Sequence, residues 1–132
     1  MKQDEVNELL KEAIESEGFL NLDQNDIEKL KNDVDSVDAI KVSGKNEQVG
    51  DLLSEAISTL EETNREKIIR KLLFAIRFPA ENEFLMENMS KVHEVLDMLD
   101  EDVECVWGIS TNDKLKDDNL ELIVSVGLVN MK

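Results

Sequence analysis

The spacing of the apolar residues changes repeatedly along this 132-residue chain. Four segments repeat apolar residues every three to four positions, as amphipathic helices do, and the segments between and after them alternate apolar and polar positions, as strands do. The alternation is clearest at 71–78 and 120–128. Because the two periods are interleaved along the chain, they predict helices packed on a mixed sheet.

The predicted elements follow one another as two short helices and then a succession of strands and helices. Their order is helix 6–14, helix 27–34, strand 37–42, helix 49–60, strand 71–78, helix 84–99, strand 103–109 and strand 120–128. We expect the last two strands to form an antiparallel hairpin. The predicted fold class is therefore α/β, of the α+β two-layer kind, with a mixed sheet of about four strands. Two main helices cover one face of this sheet, and two short helices precede it.

The excess of acidic side chains narrows the classes of molecule that the protein is expected to bind. The chain carries 31 acidic and 15 basic side chains, and its formal net charge is −16. This charge opposes nucleic acid and anionic membrane surfaces, so neither is expected as a partner. With a single cysteine and no apolar run of about 18 residues, we expect a cytoplasmic protein without an internal disulfide or membrane span. No cofactor or metal site is expected, and 1–132 is expected to be a single domain.

The loop at 18–26 carries the strongest functional signal. Asn21, Asp23 and Asp26 are spaced by two and three residues at the mouth of the second short helix. Two carboxylates in this arrangement can hold and polarise a water molecule. Asp23 is also placed as the N-cap of that helix, an interaction that stabilises a helix by about 1 kcal/mol. Both interpretations remain open at this point, and the exposed tip between the acids consists of Gln24 and Asn25.

A second candidate surface is the semi-apolar face of the sheet that the two main helices leave uncovered. The candidate interface residues on this face are Leu73, Ala75, Val106, Ile123 and Val129. Exposed apolar patches of several hundred Å² usually mark contacts. Either the first two helices cover this face, or a partner does. The corresponding alternative function is a structural module that self-associates or binds an unrelated partner.

Three further side chains that often carry chemistry have simpler expected roles. Cys105 and Trp107 fall on the inward side of their strand, where a thiol and a large aromatic ring pack a core. His93 has no second His or Cys at ligand spacing, so a partly buried or surface histidine is expected.

Together with the residues at 18–26, 42–46, 104–113 and 120–128, the order of elements resembles the C-terminal domain of FtsZ, the bacterial cell-division GTPase related to tubulin. On this resemblance, 1–17 is similar to the end of the helix that connects the two FtsZ domains. Residues 18–34 resemble the synergy loop and the helix after it, and 35–132 resemble the sheet with its helices. The usual Phe-Ala between the two aspartates is replaced here by Gln24 and Asn25.

The resemblance implies a specific role for the loop. FtsZ subunits polymerise head to tail, and the synergy loop enters the nucleotide pocket of the adjoining subunit. There the carboxylates matching Asp23 and Asp26 position the attacking water, and the side chain matching Asn21 lies against the nucleotide. The chain has no glycine-rich phosphate cradle, so we expect that it does not bind GTP and is not an enzyme alone. The expected partner is an FtsZ-like GTPase subunit or another copy, and the expected function is to bind or modulate FtsZ-type filaments in cell division.

Overall fold

The computed structural model describes residues 3–15, 22–79, 86–111, 114–115 and 119–131. Its helices and strands confirm the predicted order, with strands that begin earlier or end later than the sequence pattern indicated. They are α1 (Gln3–Glu15), α2 (Gln24–Lys31), β1 (Ser36–Lys45), α3 (Val49–Thr63), β2 (Lys67–Phe78), α4 (Met86–Asp97), β3 (Glu104–Thr111) and β4 (Asn119–Asn130).

The four strands form one mixed sheet in the order β1-β4-β2-β3. β4 lies antiparallel to both β1 and β2, whereas β3 pairs with β2 in parallel. The predicted hairpin between the last two strands is therefore wrong. The segment containing α4 returns the chain to start β3 in the same direction as β2, and β4 then enters between β1 and β2. The central position of β4 agrees with its burial, since residues 120–128 are all buried.

One face of the sheet carries the larger core cluster, beneath α3 and α4. Leu53 and Leu60 of α3 pack with Phe74 of β2 and Val92 of α4, and these side chains are almost fully buried. The rings of Phe74 and Trp107 stack with centroids 6.0 Å apart. Trp107 is thus partly buried against this core, in agreement with the inward direction that its strand pattern indicated.

The opposite face of the sheet is covered by α1 and α2. The second core cluster combines side chains of these helices with side chains of the sheet. Its sheet members include Leu73, Ala75 and Ile123, which are buried, while Val106 packs against the cluster and is partly buried. Val129 is half-buried. The chain's own first helices therefore cover the face that the sequence left open, and this packing accounts for Leu73, Ala75, Val106 and Ile123 without a partner.

Candidate functional site

The two aspartates of the acidic loop meet at the start of α2. Asp23 is the N-cap, as predicted, and its carboxylate Oδ1 accepts a hydrogen bond from the Asp26 backbone N–H at 3.1 Å. In return, the Asp26 carboxylate Oδ2 accepts from the Asp23 backbone N–H at 2.9 Å. This reciprocal pair is a capping box, which satisfies two helix-end N–H groups and fixes the direction of the chain entering the helix.

The capping box leaves part of each carboxylate available. Asp23, Gln24 and Asn25 are exposed, and Asp26 is half-buried. Each aspartate uses one oxygen in the cap, and no other residue among those described donates a hydrogen bond to the second oxygen. The capping interpretation and the water-positioning interpretation are therefore compatible in geometry. The remaining member of the predicted set, Asn21, lies outside the described residues.

α2 is held against the sheet at its other end. The Lys71 ammonium donates to the Lys29 carbonyl at 2.5 Å and to the Asn32 carbonyl at 2.6 Å. A cation at these carbonyls compensates the negative end of the helix dipole. α2 also approaches β4 closely, because a Cβ at Gly127 would lie 2.9 Å from the Leu30 carbonyl oxygen. These contacts fix the orientation in which α2 presents its acidic start.

A cavity of about 160 Å³ lies beside Asp26, between α2 and the edge of the sheet. Lys29, Lys71, Glu104 and Cys105 contribute to its lining. Cys105 is exposed, so the predicted core role of this residue is wrong: β3 is an edge strand, and the residue lies at its second position. The sulfur is nevertheless desolvated enough that burial raises the pKa of the thiol to about 11. A thiol with this pKa is protonated at neutral pH, which argues against a nucleophilic role.

A network of charged side chains, which was not predicted from the sequence, joins α1 to the sheet. The Arg77 guanidinium donates to Glu12 Oε1 and to Glu121 Oε1, each at 3.0 Å. The Lys41 ammonium lies 2.7 Å from Glu12 Oε1 and 3.5 Å from Glu121 Oε2. The available signal was that Arg77 and Glu121 are the charged residues within the otherwise apolar stretches 72–78 and 120–124, where a charge needs a partner.

The charges in this network shift the titration of two members. Burial of Glu12 opposes its ionisation, but the hydrogen bond from Lys41 and the charges of Lys41 and Arg77 outweigh it and lower the pKa of Glu12. The hydrogen bond to Glu12 and the charge of Glu121 raise the pKa of Lys41. The network therefore stabilises the charged forms that link α1 to β1, β2 and β4.

The described part of the chain has neither a metal-binding cluster nor a membrane-spanning helix. Among its residues, no group of three or more His, Cys, Asp or Glu side chains is arranged to hold a metal ion. None of the described helices is long and apolar enough to cross a membrane. His93 is exposed on α4. These observations leave the start of α2 as the candidate site.

Comparisons with known proteins identify the fold. No family model matches the sequence, and no curated protein matches it. Among solved structures, an FtsZ dimer of M. jannaschii matches 96% of this chain at 12% identity with a TM-score of 0.62. A variant of M. jannaschii FtsZ matches 92% at 16% identity with a TM-score of 0.68. TubZ from GDP-form protofilaments of Bacillus thuringiensis serovar israelensis matches 96% at 12% identity with a TM-score of 0.67.

The chain spans only part of these structures, since the matches cover 40%, 40% and 36% of the three longer chains. A fragment of this length has the size of one domain. The mixed four-stranded sheet and the helices packed on it agree with this assignment. The chain therefore has the FtsZ and TubZ fold, over a portion the size of the C-terminal domain.

Proposed function

We propose that this chain is an interaction domain of the FtsZ type, which docks on a filament-forming GTPase subunit through the start of α2 and modulates filaments in cell division. The observation that carries the proposal is the combination of this fold over 92–96% of the chain with an exposed, acidic α2 start. The solved relatives include an FtsZ dimer and TubZ protofilaments. Assembly between subunits is therefore the shared property from which we infer a partner of the same type.

The geometry supports a role of the aspartates in trans. The capping box fixes Asp23 and Asp26 relative to the axis of α2, and Lys71 fixes α2 relative to the sheet. A nucleophilic water is oriented best by groups that do not move during the reaction. In the proposed complex, the free oxygens of the two carboxylates orient this water, and the neighbouring subunit supplies the nucleotide and its phosphate contacts. The chain contributes at most half of such a site and has no activity alone.

The experiment adds the purified chain to polymerising FtsZ and measures GTP turnover and the pelleted fraction. Asp23→Asn keeps a side-chain oxygen that caps α2 but removes the carboxylate charge, whereas Asp23→Ala removes both. Glu28→Gln, on the exposed side of α2, removes one charge away from the cap and is the matched control.

We expect the wild-type chain and Glu28→Gln to change turnover equally. Asp23→Asn is expected to pellet with the filaments while losing the effect on turnover. Asp23→Ala is expected to lose the effect as well and to unfold with about 1 kcal/mol less free energy. Identical turnover and pelleting with and without a several-fold molar excess of the wild-type chain would refute the proposal.

A further inference from the structure

The large apolar side chains that the described part of the chain exposes lie together. Ile68, Met98 and Met131 are 37%, 86% and 56% exposed, and all three line one groove. They come from three elements: the start of β2, the residue after α4 and the residue after β4. Single exposed apolar residues are common on protein surfaces, but a contiguous group of them marks a contact site.

The groove has a volume of about 550 Å³. Its apolar part also includes Ile69, Leu99 and Val103, which pack against the main core. The remaining lining residues are charged: Glu61, Glu62, Arg65, Lys67 and Asp100. The groove shares no lining residue with the cavity beside Asp26, so it is a surface separate from the candidate site at the start of α2.

The electrostatic character of the groove is set by two helix ends. α3 ends at Thr63, with Glu61 and Glu62 in its last turn and no basic residue there. α4 ends at Asp97, also without a basic residue in its last turn. The negative ends of both helix dipoles therefore lie beside the groove, and its three acidic side chains outnumber its two cations, Arg65 and Lys67. Of the two lining cations, Lys67 donates to the Ser36 hydroxyl at 2.7 Å, so its ammonium is already engaged.

We propose that this groove binds a segment of another protein in which apolar side chains are interspersed with Lys and Arg. The apolar residues fill the space around Met98 and Met131, and the cations lie against Glu61, Glu62 and the α3 end. Methionine side chains suit this role because they are unbranched and adapt to differently shaped partners. A second copy of the chain fits poorly, since each copy carries a net charge of −16.

The test uses the whole chain labelled with ¹³C at the methionine methyl groups. The probe is a helix-forming peptide of leucine and lysine, about 18 residues or five turns long. A peptide of leucine and glutamate with the same pattern is the control for apolar binding without charge complementarity. Met98→Ser and Met131→Ser assign the two groove signals, and Met89, which packs against the main core, is the internal control.

The leucine-lysine peptide is expected to shift the Met98 and Met131 signals saturably and to leave Met89 unchanged. Met98→Ser is expected to weaken binding about tenfold, because it removes most of one buried side chain from the contact. Asp100→Asn is expected to weaken binding more than Glu28→Gln, which removes an equal charge on the other side of the sheet.

Any of the following results would overturn the proposal. The first is that neither groove methyl shifts. The second is that the leucine-glutamate peptide shifts them equally, or that Met98→Ser binds as tightly as the wild type. The third is that the groove signals depend on protein concentration without peptide, together with dimer formation in sedimentation, because a second copy would then occupy the groove.

Discussion

Replacing Arg77 tests whether the charge network holds α1 on the sheet. The side chains of Arg77 and Glu121 are 8% and 11% exposed, and their ion pair measures 3.0 Å. Arg77→Met removes the cation and keeps an unbranched apolar side chain in the same space. Within the network, Glu121 then retains one cation partner, Lys41, at 3.5 Å.

The expected loss is large compared with the stability of a domain. Leaving a buried charge without its partner costs about 3–5 kcal/mol. Because Lys41 partly compensates Glu121, we expect about 3 kcal/mol for Arg77→Met, against a total stability of about 5–15 kcal/mol for domains of this kind. The double variant Arg77→Met with Glu121→Met removes both charges and leaves the Lys41 contact with Glu12 intact. It should recover about 2 kcal/mol of that loss.

Urea unfolding measures these differences, and fluorescence of the single tryptophan, Trp107, reports the transition because its ring is stacked in the core. The matched control is Arg70→Met on the same strand. Arg70 is paired with the exposed Asp102 at 3.6 Å, so this change should cost less than about 0.5 kcal/mol. If Arg77→Met costs no more than Arg70→Met, or if the double variant is less stable than Arg77→Met, the account of the network is refuted.

Further predictions concern the packing of α2 on β4, stability in acid and the reactivity of the Cys105 thiol. Gly127→Ala should cost about 1–3 kcal/mol in thermal unfolding, because its Cβ meets a backbone carbonyl. Gly44→Ala should lower the stability less, since its Cβ meets the flexible ends of Leu52 and Gln48. Equal losses of stability for the two variants would contradict this prediction. The lowered pKa of Glu12 stabilises the fold above pH 4.5, the ordinary pKa of a glutamate, and this stability is lost as the pH falls through the lowered pKa. Glu12→Gln should therefore flatten the decline in stability below pH 4.5, and an unchanged decline would refute this. The rate of Cys105 alkylation should be low at neutral pH and should rise up to about pH 11. A rate that levels off near pH 8.5, about the pKa of a free thiol, would contradict this prediction.

The elements were predictable because their signal is local. A helix or strand that covers a core repeats its apolar residues with its own period, and that period can be read within each segment. The coverage of the second sheet face could only be stated as an alternative. The apolar spacing of α1 shows that Val6 and Leu10 need a partner, but it does not show which side of the sheet provides it.

The strand order could not be predicted in the same way, because pairing is a contact between distant parts of the chain. Sequence neighbours favoured a hairpin of β3 and β4, whereas the structure inserts β4 between β1 and β2. One signal pointed to a central strand: 122–124 are three consecutive apolar residues, so both faces of β4 are apolar. Strands buried on both faces carry such uninterrupted apolar runs.

The candidate site shows a different limit of sequence reasoning. An aspartate at an N-cap and an aspartate three residues later form a capping box, and the same two residue types orient a water molecule. Sequence alone does not separate these roles. The structure shows the capping hydrogen bonds of Asp23 and Asp26, and it leaves one oxygen of each without a donor among the described residues. The capping role is therefore observed, and the role in trans remains our proposal.

Site-specific cross-linking tests most directly whether the start of α2 contacts a filament subunit. A photo-reactive amino acid replaces Gln24, which is exposed at the first position of α2, and the control replaces Glu55, which is exposed on α3 across the sheet. With polymerised FtsZ, we predict a cross-link from position 24 to peptides that surround the nucleotide pocket and none from position 55. Cross-links from 55 alone, equal labelling from both positions, or attachment of position 24 away from that pocket would contradict the account.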